Sequence, residues 1–169
     1  SSLSDAGTTM NYLQFEVTQP PIVTQVVAEI IPERTQIGEL TSFTYKIIPT
    51  ISEEDLGFDS IEINTPIAPI SVDAVRIGSQ NLSRNEYAIE PFNGFHIIVQ
   101  IPFIDIQSSG ELIEIDFRTE IFQASTAFTG KVFDSTRPQE VKHRIEPGDA
   151  DPIADGRNLT VTSRRSRLN

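Results

Sequence analysis

The sequence predicts an all-β fold, an antiparallel β-sandwich of the jelly-roll or immunoglobulin-like type with about 9 to 11 strands and little or no helix. Isoleucine outnumbers leucine by 23 to 8, and β-branched side chains favour pleated strands over helices. The 11 prolines and 9 glycines are spread along the chain, which is typical of short elements separated by turns. Apolar residues also alternate with polar ones in segment after segment, the pattern of half-buried strands.

The length of the chain bounds its organisation. A chain of 169 residues is long enough to bury a core without disulfides or metals, and it suits one domain. Residues 1–10 are small and polar, so we expect a disordered lead-in there. Residues 11–163 are predicted to form a single β-sandwich domain, and residues 164–169 a basic tail or linker.

The segment 111–122, ELIEIDFRTEIF, carries the clearest strand pattern. Its inward side is predicted to hold Ile113, Ile115, Phe117, Thr119 and Ile121, and its outward side Glu114, Asp116, Arg118 and Glu120. Burying the four large apolar side chains contributes about 6 to 12 kcal/mol, so the register is strongly specified. The segment is longer than the usual strand of about five or six residues, and we expect a bend or bulge near Thr119.

The first third of the chain is predicted to contain strands with clear breaks. NYLQFEV alternates at 11–17, the pair Pro20 and Pro21 interrupts the pattern, and PIVTQVVAEI resumes it. ERTQIGEL at 33–40 is predicted to be a turn. The next strand, TSFTYKI, is predicted to place Phe43, Tyr45 and Ile47 on one face. Pro49 is expected to end that strand or to mark it as a sheet edge.

The middle of the chain is predicted to form closely spaced strands after one helical turn. Ser52 is expected to cap that turn, in SEEDLGF, and Gly57 to stop it. DSIEIN, SVDAVRI, EYAIE and FHIIVQI follow, and the Asn93-Gly94 pair between the last two predicts a hairpin. The inward face of the second hairpin arm is predicted to hold Phe95, Ile97, Val99 and Ile101. We expect this hairpin and ELIEIDFRTEIF to form a meander.

The last part of the chain predicts three further strands, of which the second has a weaker pattern. These are AFTGKVFDS, QEVKHRI and NLTVTS, with the turn-rich EPGDADPIADG before the last of them. Connections this short favour antiparallel pairing, because parallel strands need a long crossover.

The charge distribution is uneven. The net charge is −11, but residues 1–156 carry 9 basic and 24 acidic side chains, and four arginines lie in the last 13 positions. An acidic body repels phosphate and anionic lipid, so we expect no nucleic-acid binding. No apolar run approaches the roughly 20 residues needed to span a bilayer, so we expect no direct membrane insertion. The chain has no cysteine, which excludes disulfides and thiolate metal sites.

The sequence shows no catalytic motif, and we predict that the chain is not an enzyme. Its two histidines, His96 and His143, fall on separate predicted strands without metal-ligand spacing such as HExxH. There is no GxSxG nucleophile motif and no thiol. Acid and base pairs need only two carboxylates at a suitable separation, and the chain is rich in them, so a hydrolase is kept as the third alternative.

The acidic loop at 148–158, GDADPIADGRN, is the best ligand candidate. Asp149, Asp151 and Asp155 offer the hard oxygen ligands that Ca²⁺ prefers, so we expect calcium there if any cofactor binds. The spacing does not match an EF-hand, because Pro152 intervenes and Gly156 comes late. The alternative interpretation is a Pro/Gly/Asp turn before the last strand. Carbohydrate binding is a further alternative, although the chain has no tryptophan.

Several sequence segments together resemble a β-sandwich module of large secreted bacterial surface proteins. They are FTYKIIP, GFDSIEINTP, GFHIIVQIP, IEIDFRTEIF, FTGKVFDS and EPGDA, spread over residues 22–163. The resemblance implies an extracellular or cell-surface location and a non-catalytic structural or interaction module, whose partners are neighbouring domains or another protein. The alternative is a module that binds carbohydrate or, through a distant similarity to cohesin-type jelly rolls, a protein partner, with or without calcium at Asp149 to Asp155.

Overall fold

The fold consists almost entirely of β-strands. The computed structural model describes residues 25–65, 69–90, 95–137, 143–147 and 160–164. The strands are β1 Gln25–Ile31, β2 Arg34–Gln36, β3 Leu40–Thr50, β4 Phe58–Asn64, β5 Ser71–Ile77, β6 Gln80–Asn81, β7 Ala88–Ile89, β8 His96–Ile104, β9 Ile113–Glu120, β10 Ser125–Ala127, β11 Thr129–Phe133, β12 His143–Pro147 and β13 Thr160–Arg164. Two 3-10 helices, Arg84–Glu86 and Ile106–Ser108, complete the described elements. Across these ranges no helix is long and apolar enough to cross a membrane.

Ten of the strands form one sheet whose two halves pack face to face. Its order is β6-β5-β9-β3-β1-β12-β11-β4-β8-β7, and a second, three-stranded sheet has the order β10-β13-β2. Residues from both halves of the large sheet belong to a single buried cluster, so the halves are the two layers of a sandwich. The prediction of an antiparallel β-sandwich is confirmed. Two pairings, β1 with β12 and β13 with β2, are parallel.

The core is built from alternate residues of the long strands. On β9 and just after it, the predicted inward set is buried throughout: Ile113, Ile115, Phe117, Thr119 and Ile121. On β3 the predicted set is also buried: Phe43, Tyr45 and Ile47. The opposite layer contributes Ile61, Ile63, Ile97, Val99 and Ile101. The period-two pattern therefore identified the buried face of both strands correctly.

The central strand β9 differs from its prediction in length and in the place of its bulge. It spans Ile113–Glu120, eight residues, and pairs with β3 without interruption. Its register with β5 shifts between Asp116 and Phe117, whose partners are Ala74 and Val72. The extra residue therefore belongs to β5, and the expected bulge near Thr119 was wrong. Thr119 pairs in register with Thr41.

The predicted meander was also wrong. Strand β8 pairs with β7 and β4, whereas β9 pairs with β3 and β5 in the other layer. The connection that contains Ile106–Ser108 carries the chain from one layer to the other. The hairpin itself is confirmed, because β7 and β8 pair antiparallel with Ala88 opposite Gln100; Asn93 and Gly94 lie outside the described residues.

Three local predictions need correction. Strand β3 runs through Pro49 and is central, between β9 and β1. The Pro49 carbonyl accepts the Gly110 N–H at 2.7 Å, so it faces the β9 side of the strand, just before β9 begins at Ile113. The proline nitrogen faces the same side, and its missing N–H therefore removes no hydrogen bond between strands. Residues 33–40 include strand β2 and are not only a turn. Phe95 precedes β8 and is 56% exposed, so it does not share the inward face.

The predicted helical turn near Ser52 is a tight turn without helix. The Ser52 carbonyl accepts the Asp55 N–H at 3.1 Å, and the Ser52 hydroxyl accepts the Glu54 N–H at 3.2 Å. The hydroxyl therefore binds a nearby backbone amide as expected of a serine cap, but the chain enters β4 before a helix can form.

Candidate functional site

The outward face of β9 carries charged side chains that bind across strands. Arg76 of β5 donates from Nε to Glu114 Oε1 at 3.0 Å and from Nη1 to Asp116 Oδ2 at 2.8 Å. Thr44 of β3 donates its hydroxyl to Asp116 Oδ1 at 2.7 Å. The charges predicted for the solvent side of β9 thus form a network that ties β5, β9 and β3 together.

The protonation state of Asp116 follows from this network. Burial alone would raise the pKa of its carboxyl, but the Arg76 guanidinium and the Thr44 hydroxyl outweigh that effect and hold the pKa below its ordinary value of 3.8. A carboxyl that stays ionised at neutral pH cannot act as a general acid there. The geometry assigns Asp116 a role in sheet stability.

We predict that Asp116→Asn destabilises the protein in a pH-dependent way. At neutral pH the loss is expected to be about 1 to 2 kcal/mol, because three hydrogen bonds to a partly exposed charge, two from Arg76 and one from Thr44, are weakened. A lowered folded-state pKa means that the carboxylate stabilises the fold above pH 3.8, and that this contribution disappears as the pH falls through the folded-state value. Urea unfolding of both proteins from pH 7 down to pH 2 checks this.

The matched control for this prediction is Asp73→Asn. Asp73 pairs with Arg118 at 2.8 Å, but both side chains are more exposed than Asp116 and Arg76. Its loss is expected to cost less than about 1 kcal/mol. An Asp116→Asn cost that is the same at pH 2 and pH 7 would contradict the proposed role of the carboxylate.

His96 lies at the start of β8 beside two side chains of β4. Its Nδ1 forms a hydrogen bond with the Asn64 side-chain oxygen, and the same nitrogen lies 3.8 Å from Glu62 Oε2. In the part of the chain that the structure describes, no group of three or more His, Cys, Asp or Glu residues is arranged to hold a metal ion. His143 begins β12, and its side chain is outside that part.

The calcium candidates Asp149, Asp151 and Asp155 lie outside the described residues, so calcium binding stays a prediction. Tyr45 and Tyr87 are buried, and neither presents its ring to solvent as a sugar platform.

A groove opens at one end of the sandwich, where β3 ends, β4 begins and β8 ends. We call it the end groove, and its volume is about 550 Å³. Its apolar part consists of Leu56, Phe103 and Ile106, which are 64%, 43% and 42% exposed. Four carboxylates line it as well: Glu53, Asp55, Asp105 and Asp134.

One wall of the end groove is a turn held by two buried aspartates. Asp59 of β4 accepts the Ser135 N–H at 2.8 Å and the Ser135 hydroxyl at 2.6 Å. Asp134 accepts the Thr136 N–H at 2.9 Å and Arg137 Nε at 3.0 Å. Burial would raise the pKa of Asp134, but its bonds to Thr136 and Arg137 outweigh this and lower the pKa. The wall is therefore anchored to the core strand β4.

An irregularity in strand pairing turns Phe103 into the end groove. By strict alternation Phe103 belongs to the inward set of β8, but the β4 and β8 registers shift between Phe58 and Ser60. The shift buries Ile104 and exposes Phe103. The sequence pattern did not predict this groove, since alternation alone assigns Phe103 to the core. The available signal was Leu56, a large apolar residue in a loop directly before Gly57.

No protein-family model matches the chain, and no curated protein matches it in sequence. Solved structures do match its fold. The N-terminal domain of a Streptococcus gordonii adhesin is 13% identical, with a TM-score of 0.52 over 82% of this chain and 32% of that one. An uncharacterised protein from Nocardia farcinica with an immunoglobulin-like fold is 12% identical, with a TM-score of 0.50 over 83% of this chain and 98% of that one.

The match with the pilus backbone protein of Streptococcus pneumoniae is weaker: 9% identity and a TM-score of 0.48, over 64% of this chain and 30% of that one. The matched part thus spans about a third of the adhesin and pilin chains. The fold of this chain is similar to that of an immunoglobulin-like protein and of an adhesin domain. At the level of fold, this confirms the resemblance to β-sandwich modules of surface proteins. Function needs a separate argument.

Proposed function

We propose that the chain is a non-catalytic structural or interaction module of a secreted bacterial cell-surface protein, and that it contacts a protein partner through the end groove. The observation that carries the proposal is the cluster of exposed apolar side chains, Leu56, Phe103 and Ile106, inside a rim of carboxylates. Apolar surface rimmed by polar groups is typical of a partner-binding site. The likeness of fold to an adhesin domain supports the location.

The geometry favours a protein partner over the alternatives. A carbohydrate site usually offers broad aromatic surfaces, and among the described residues that line the end groove only Phe103 contributes an aromatic ring. A hydrolase needs two carboxylates that can exchange protons, and Asp59 and Asp134 are engaged instead in binding the turn that forms the groove wall, which speaks against these two as an acid and base pair. The cohesin-like module, with or without calcium, is the second candidate, and it would use a protein partner as well.

We predict that the module is accessible on the surface of intact cells of its native host. Antibodies raised against the folded chain are expected to label unpermeabilised cells, and protease treatment of those cells is expected to remove the label. An antibody against a cytoplasmic protein serves as the control for cell integrity. Labelling that requires lysis would contradict the cell-surface location. Turnover of a broad panel of glycosides and esters would contradict the non-catalytic role.

A further inference from the structure

The end groove has a charge pattern that defines the chemistry of its occupant. The Asp134 carboxylate is paired with Arg137 at 3.0 Å. Together with Glu53, Asp55 and Asp105, the lining holds four carboxylates and this one arginine, so the groove has a net negative charge next to its apolar side chains. An occupant that matches this surface carries several positive charges and an apolar side chain on one short segment.

One segment of the chain itself has this composition. Residues 164–168 read RRSRL and place three arginines before a leucine. They follow an acidic body, because all 24 acidic residues of the chain lie before position 157. Arginine suits this role because its guanidinium binds carboxylates through paired hydrogen bonds.

We propose that the end groove binds the arginine-rich segment 164–168 of a second copy of this chain, so that molecules associate end to end. This inference deepens the interaction role proposed for the groove and rests on it. The arginines would face the carboxylates of the rim, and Leu168 would cover the apolar side chains Leu56 and Phe103.

The segment cannot reach the groove of its own molecule. Arg164 ends β13, and its carbonyl accepts the Ile37 N–H at 2.9 Å, near the start of β3. The groove lies near the other end of β3, ten residues on, which is about 33 Å away along the strand. Arg167 lies three residues beyond Arg164 and extends at most about 11 Å from it. Binding therefore requires a second molecule.

Repulsion between two acidic molecules does not prevent this contact. Each copy carries a net charge of −11, but charges are screened beyond about 8 Å at physiological ionic strength. At contact distance the interacting groups are three arginines and the groove carboxylates, which attract. A head-to-tail contact leaves a free groove and a free segment on each pair, so the association is open-ended.

A peptide with the sequence of residues 163–169, SRRSRLN, tests the proposal against the full chain. We expect fluorescence anisotropy to show binding, and Glu53→Gln combined with Asp105→Asn to weaken it by about tenfold or more, because each change removes a charge. Both changes conserve shape, and the new amide side chain keeps an oxygen for the Gln107 N–H that Asp105 accepts at 3.0 Å. Glu39→Gln with Glu90→Gln is the control: it removes the same charge at exposed positions outside the groove.

Sedimentation velocity then tests the second copy as the occupant. The full chain is expected to associate as its concentration rises, and Arg165→Gln with Arg167→Gln is expected to abolish this. Equal peptide binding by the groove variant and its control overturns the proposal. A full chain that binds the peptide but stays monomeric also overturns it, and identifies a foreign basic segment as the occupant. Surface labelling of cells tests the cell-surface location separately. A failure of the proposed location can therefore be distinguished from a failure of the end-to-end contact.

Discussion

Replacing Phe117 by alanine is expected to lower the free energy of unfolding by about 3 to 5 kcal/mol. Phe117 is fully buried on β9, and its ring centroid lies 5.8 Å from that of Phe43 and 6.1 Å from that of Phe128. The substitution removes a large apolar surface and two ring contacts, and it leaves a cavity between β9, β3 and the segment before β11. Urea unfolding followed by far-UV circular dichroism measures the loss.

The expected cost is large compared with the whole stability of a typical domain, about 5 to 15 kcal/mol. Phe95→Ala is the matched control, because it removes the same ring from an exposed position, and its cost is expected to stay below about 1 kcal/mol. Similar costs for the two variants would mean that Phe117 does not pack in the core as described.

Gly57→Ala is expected to cost about 3 kcal/mol or more, through a backbone collision. Gly57 has φ +112°, a conformation that side-chain-bearing residues rarely adopt, and a Cβ atom at this position would lie 1.9 Å from the Ile104 carbonyl oxygen. The same atom would meet the Phe103 ring at 3.0 Å. To relieve the collision, the start of β4 must move away from the end of β8, where the two strands border the end groove. Thermal and urea unfolding measure the cost.

Gly78→Ala is the control, because it measures the cost of the backbone conformation without a collision. Gly78 also has a positive φ, +65°, but a Cβ atom there meets nothing within 4 Å. Its cost is expected to be about 1 to 2 kcal/mol, the penalty of a left-handed conformation for an L-residue. If Gly57→Ala costs no more than Gly78→Ala, the close approach of Gly57 to β8 is not present in solution. Gly57→Ala is also expected to weaken binding of the SRRSRLN peptide, because it displaces Phe103.

The faces of the strands were predictable from residue order. On β9 the alternation of apolar and charged residues assigned Ile115 and Phe117 to the core and Asp116 and Arg118 to the outside, and the structure agrees. A side-chain period of two is a local property of extended backbone, so it can be read from one strand alone. The fold class followed from the repetition of that pattern, since many half-buried strands need a second layer to cover them.

The neighbours of each strand were not predictable in the same way. Alternation says which face of β8 is buried but not that β4 lies beside it or that β9 belongs to the other layer. The connection between β8 and β9 is short enough for a hairpin, and the chain nevertheless uses it to cross the core. Strand pairing depends on contacts between distant parts of the chain, which no local pattern records.

The end groove depends on the same long-range contacts. Leu56 and Ile106 are separated by 50 positions in the sequence, and they line one groove because β4 and β8 pair at that end of the sandwich. Phe103 also lines the groove, because the register shift opposite Asp59 leaves its side chain exposed. Strict alternation along β8 would have placed it in the core. Residue order thus specified which side chains each strand would bury. Strand pairing and register, set by packing across the whole core, determined which exposed side chains came together.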